Sequence, residues 1–142
     1  VRAGSRARAV LNTLNLSTPL GLALALAART PLRRGPGGLF IAERYRPGLP
    51  VAGAFTVGNV VFTRGSATDL VGRRGLCAHE ARHATQYTVC LGLPFLPLYF
   101  AGQLAGAVVA LVCRGDAASF NPFERLAGLE DGGYRPRKDL RP

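Results

Sequence analysis

Apolar and polar positions change rhythm three times along this chain. Residues 1–16 mix Arg2, Arg6 and Arg8 with small and apolar residues. Ser17-Thr18-Pro19 then supplies a hydroxyl cap with proline in the first turn, which predicts the start of a helix; the Ala/Leu run over 20–29 continues it. Residues 30–38 hold two prolines and three glycines and predict a loop. A β rhythm follows. Residues 39–46 have strand character and 47–50 read as a turn. Residues 54–57 and 60–63 flank Gly58-Asn59, a two-residue hairpin signal. The expectation is a small antiparallel ribbon of two or three strands. From Asp69 onward the pattern is helical. One helix runs over 76–91 and ends at Gly92-Leu93-Pro94; an apolar one runs over 97–113; a short one starts at Asn121-Pro122. The fold class expected is α+β, a single, mainly helical domain over 1–142. Residues 1–38 form a basic, apolar helical segment, 39–134 hold the ribbon and the remaining helices, and 135–142 form a flexible basic tail.

Composition narrows the class. With 48% apolar and 18% charged residues, the chain is not an intrinsically disordered one. A net charge of +10 raises nucleic acid as a partner, but the arginines are scattered in ones and twos and the aromatics, at 8%, are not interleaved with them. Nucleic acid is therefore disfavoured, and an anionic membrane surface fits the charge better. Cys77, Cys90 and Cys113 lie in apolar stretches without C-x-x-C spacing, so buried reduced thiols are expected.

The chemistry concentrates in His79-Glu80-Ala81-Arg82-His83, which holds the only two histidines of the chain. Four residues apart on a helix, both imidazoles face one side and can share a metal ion. Glu80, beside the first of them, is placed to take a proton from water activated there. Apolar neighbours on both sides of this segment set it apart from a solvated surface helix. Zinc, the expected cofactor, needs a third ligand, and no histidine remains. The downstream carboxylates ahead of the basic tail are Asp116, Glu124, Glu130 and Asp131. Glu124 is favoured because Phe120 and Phe123 should draw its turn into a core; the competing role is a capping box with Asn121. Gln86 is a candidate to support a ligand or face substrate. Tyr87, Tyr134 and Arg82 are candidates to assist at an oxyanion.

Four blocks in order carry a family resemblance: Phe55-Thr56-Val57-Gly58-Asn59-Val60-Val61-Phe62, the segment from His79 through Gln86-Tyr87, Gly92-Leu93-Pro94-Phe95-Leu96-Pro97-Leu98-Tyr99, and Asn121-Pro122-Phe123-Glu124. Over residues 39–134 the sequence resembles a minimal zincin of the gluzincin type, and it is similar to small actinobacterial proteins with the same order of blocks. The resemblance implies a zincin-like domain and a zinc-dependent metallopeptidase acting on a peptide or protein substrate. His79, His83 and Glu124 would hold the metal, Glu80 would be the general base, and residues 56–62 would form the strand to which substrate adds. Larger gluzincins carry a further acidic residue one turn after the third ligand. Here Arg125, Leu126 and Ala127 follow Glu124, so the group that orients a histidine is unassigned.

Residues 84–113 carry no charge. A span over 97–113 would put His83 and Glu124 on opposite sides of a bilayer, so a buried or membrane-dipping helix is expected instead. The location expected is cytoplasmic or peripheral at the inner membrane face, although arginines ahead of an apolar run also match a signal peptide. The alternative function is a catalytically silent, membrane-associated zinc-binding module.

Overall fold

The computed structural model describes residues 3–113 and 115–134. Two α-helices, four short strands with a 3-10 turn (Pro36–Gly38) after the first, and five more α-helices follow in that order. Helices α1 (Ala3–Leu14) and α2 (Ser17–Ala27) are followed by strands β1 (Leu32–Arg34), β2 (Phe40–Ala42), β3 (Ala54–Val57) and β4 (Val60–Thr63). Helices α3 (Ala67–Gly72), α4 (Arg74–Val89), α5 (Phe95–Cys113), α6 (Ala117–Phe120) and α7 (Pro122–Ala127) complete it. The expected α+β class, mainly helical with a small sheet ahead of the histidine helix, is what is observed.

The sheet differs from the expected ribbon in two ways. Its order is β1-β2-β4-β3, and β2 runs parallel to β4 while the other pairs are antiparallel. β4 is buried at all four positions and takes the centre, as an unbroken apolar run should, while β3, half-exposed at Ala54 and Phe55, takes the edge. β1 falls inside the segment expected to be a loop. All three of its residues are exposed, so no alternation marks it; pairing with β2 alone makes it a strand. The β3–β4 turn sits at Gly58-Asn59 as expected. Gly58 has a φ of 61°, and a Cβ there would stand 2.4 Å from the backbone of Ser17.

The core lies on both faces of β2 and β4. Ala42, Val60 and Phe62 pack with Ala25, Tyr87 and Phe95; Ile41 and Val61 pack with Leu39, Leu70 and Ala84. Each large side chain among them contributes about 1.5–3 kcal/mol by leaving water. Asn12 pins α1 to this core. Its amide donates to the Ala84 carbonyl (2.7 Å) and to Asn59 Oδ1 (3.0 Å), and its oxygen accepts from Thr88. Helix α2 starts where expected, but without the expected hydroxyl cap. Leu16 stands at its N-cap in the left-handed region, and the Ser17 hydroxyl turns back to the Asn12 carbonyl and Asn15 Oδ1.

Two further expectations are corrected. The cysteines are free, but Cys113 is exposed and Cys77 and Cys90 are only half-buried. Of the two readings of α5, buried or membrane-dipping, the buried one is set aside: only Phe95 and Gly106 are buried along its 19 residues. Nor does its packing suit a straight crossing. Helix α6 returns along it, so that a Cβ on Gly106 would lie 2.4 Å from the Ala117 carbonyl and one on Gly102 would lie 2.7 Å from Asn121 Oδ1. The basic tail 135–142 lies outside the described residues.

Candidate metal centre

Three elements meet at the site. Helix α4 brings His79, Glu80 and His83 to its buried side, α7 brings Glu124, and β3 lies against Glu80. Asn121 caps α7 by accepting from the Phe123 amide (3.0 Å), and Pro122 occupies the first turn. The cap therefore does not use Glu124. That side chain, 2% exposed, turns inward to the histidines, and the capping-box role is set aside. The other carboxylates lie elsewhere. Asp116 caps α6, Asp131 pairs with Arg82 (2.7 Å), and Glu130 is exposed.

Hydrogen bonds fix both imidazoles. His79 Nδ1 lies 2.9 Å from the Gly128 carbonyl, which can only accept, so Nδ1 carries the proton. The same logic reaches His83 in two steps. Gln86 Nε2 donates to the Phe123 carbonyl (2.8 Å), which aims Gln86 Oε1 at His83 Nδ1 (2.8 Å) and requires a proton there too. In their neutral forms both rings therefore present bare Nε2 lone pairs. The two Nε2 atoms stand 3.1 Å apart, and Glu124 Oε2 lies 3.1 Å from one and 3.4 Å from the other. All three groups are buried, and Glu124 Oε2 has no hydrogen-bond partner.

Three inward-facing lone pairs with no proton between them repel one another unless a cation sits among them. Their separations match that need: four-coordinate bonds of about 2.0–2.2 Å place neighbouring ligand atoms roughly 3.3–3.6 Å apart, close to the 3.1–3.4 Å seen here. His79, His83 and Glu124 could thus hold a metal ion. Proton affinities show the same demand. Burial works against charge on His79, but the carboxylates of Glu124 and Glu80 beside it outweigh that and raise its pKa. Burial also works against ionising Glu124, yet the two histidines and Tyr99 hold its carboxyl well below the usual range.

No protein-family model matches the chain, and no curated protein or solved structure matches it. What the site can do is therefore argued from its own groups.

Glu80 is 3% exposed and accepts a hydrogen bond from the Thr56 hydroxyl (2.6 Å) on β3. Burial raises its pKa, against that bond and the nearby histidines. Gln86 supports His83, as the sequence suggested. Tyr134 also stands near, its ring centroid 6.2 Å from that of His79. Burial and the charges of Glu124 and Glu80 push its hydroxyl up to about 12, so it stays a donor at neutral pH.

Two candidates are corrected. Tyr87 is a core residue whose hydroxyl donates to the Thr56 carbonyl (3.2 Å), an acceptor that β3, as an edge strand, leaves free. Arg82 points away from the metal ligands. It bonds to the Ala127 carbonyl and Asp131, tying down the turn that presents the Gly128 carbonyl to His79.

Sequence reasoning missed three groups. The Tyr99 hydroxyl donates to Glu124 Oε1, and its ring meets His83 edge-on at 5.9 Å. Thr56 holds Glu80. The Gly128 carbonyl takes the orienting role for which no carboxylate could be assigned. Tyr99 had one available signal, a single hydroxyl in an otherwise apolar stretch. A backbone carbonyl has no residue type and leaves no signal.

Proposed function

We propose that this protein is a zinc-dependent metallopeptidase of gluzincin type, cleaving peptide bonds with Glu80 as the general base. The observation that carries the reading is the convergence of two oriented imidazoles and one carboxylate on a point, with a second buried carboxylate beside them. Two histidines and a glutamate are a donor set zinc accepts while leaving a position open. Zinc supplies a Lewis acid that acidifies water and polarises a carbonyl. The residues do the rest. Gln86 and the Gly128 carbonyl keep both Nε2 lone pairs aimed inward, and Tyr99 holds Glu124 in one rotamer. Glu80 takes a proton from the attacking water and passes it to the leaving amine. Tyr134, its ring 6.2 Å from that of His79, is the candidate donor to the developing oxyanion.

The test is turnover of a broad peptide pool by zinc-loaded protein, read by mass spectrometry, against Glu80→Gln. Cleavage by the wild type that the variant loses supports the reading. No cleavage by a protein that holds zinc favours the second one, a silent zinc-binding module. One observation speaks for that alternative. His79, Glu80, His83 and Glu124 are all buried, and the glycine turn packs so closely that a Cβ on Gly132 would lie 2.6 Å from His79 Cε1.

A further inference from the structure

Helix α5 presents a surface that the metal centre does not explain. Its inner side is used: Phe95 enters the core, Tyr99 reaches Glu124, and Gly102 and Gly106 admit Asn121 and α6. Its outer side is exposed and apolar throughout. Leu98, Phe100, Leu104, Val108, Leu111 and Val112 are each about half to more than four-fifths exposed, and no residue of the helix is charged. Among the described residues it is the one single helix long and apolar enough to cross a membrane.

The apolar surface continues past the start of α5. Asn15 packs against Gly92, so the exposed Leu14 and Leu16 on one segment and the exposed Leu91 and Leu93 on the other flank a single contact. A patch this extended on a monomer marks an interaction site.

We propose that the outer face of α5, with the Leu14–Leu16 corner, inserts into the interface of an anionic bilayer and holds the metal centre at its surface. Charge selects this occupant. The chain carries 18 basic against 8 acidic residues, a net +10, so a second copy would bring the same sign and be repelled. Anionic headgroups are attracted by it. The exposed side of α5 offers no charge or hydrogen-bonding group to fix the register of a folded partner, which protein interfaces normally have. Hydrocarbon needs none. The return of α6 along α5, with Asp116 at its start, favours a helix lying in the interface over one that spans.

The chain has no tryptophan, so Phe100→Trp installs a single reporter on this face. Its emission should shift to the blue on adding phosphatidylglycerol-containing vesicles and stay unshifted with phosphatidylcholine alone. In flotation of the otherwise wild-type chain, Leu104→Gln with Val108→Gln should cut binding to the anionic vesicles at least about tenfold. Both residues are exposed, and an unchanged thermal melt confirms the fold. The proposal is overturned if the reporter does not shift, or if the double variant floats as well as the wild type. It is also overturned if the reporter is already blue in buffer in a concentration-dependent way that the double substitution abolishes, which would identify a second copy as the occupant.

Discussion

The two sides of α5 break the usual burial rule in opposite directions. Inward, Tyr99 meets a cluster of His79, Glu80, His83 and Glu124, polar groups taken out of water at a cost. Outward, Leu104, Leu111 and their neighbours leave apolar surface in water. Strand β4 is conventional by contrast, with Val60, Val61 and Phe62 inside. A fold tolerates such inversions where something outside the chain resolves them. For the inner side the occupant proposed is a cation among three lone pairs; for the outer side it is lipid. The difference lies in precision: each inner group has named partners within hydrogen-bond distance, while the outward leucines, valines and Phe100 carry no side-chain polar atom to be matched.

The comparison can be sharpened by substitution. The largest effect is expected at Glu80. Glu80→Gln should leave metal bound while hydrolysis falls by roughly 10²–10⁴-fold, read as kcat/KM on any cleaved peptide. Glu124→Ala should lower metal affinity by more than the roughly 10–100-fold typical of supporting groups, measured by competition with a chromophoric chelator. A loss of only about 1 kcal/mol of stability with metal affinity intact would make Glu124 a mere helix-end residue. Gln86→Leu and Tyr99→Phe should each cost about 10–100-fold in metal affinity, while Leu104→Ala on the other side of the same helix should leave it unchanged.

In the core, Tyr87→Phe should cost roughly 1 kcal/mol by denaturant unfolding and leave metal binding intact, since its hydroxyl serves only the Thr56 carbonyl. The smallest effect concerns Glu43. The Ala67 amide and then Arg33 hold its carboxyl below the usual range. A depressed folded-state pKa gives stability that is present above the unfolded value, about 4.3, and lost as pH falls through the folded one. The melting-temperature advantage of the wild type over Glu43→Gln should therefore shrink between pH 7 and pH 3.

How much of this was legible in the sequence depended on whether a feature had a local signal. The Gly58-Asn59 turn, the stop at Gly92 and the start at Pro122 were readable because backbone geometry demands those residue types. The convergence of His79, His83 and Glu124 was readable because the two histidines share a helical face and Glu124 follows two phenylalanines. The parallel pairing of β2 with β4 was not, because register between distant strands is set by which run can be buried on both faces. β1 was invisible because exposed Leu32-Arg33-Arg34 carries no alternation. The exposure of α5 was left open between a buried and a membrane-dipping helix, because an apolar helix reads alike whether it faces a core or a bilayer.

The central claim is that the inward lone pairs of His79, His83 and Glu124 hold one metal ion. Metal content by mass spectrometry on purified wild type and His83→Ala tests it most directly. The account expects about one zinc per wild-type chain and its loss from the variant, with the thermal melt showing that both are folded. A folded wild type that takes up no metal when zinc is supplied, or a variant that binds it equally well, would contradict the account.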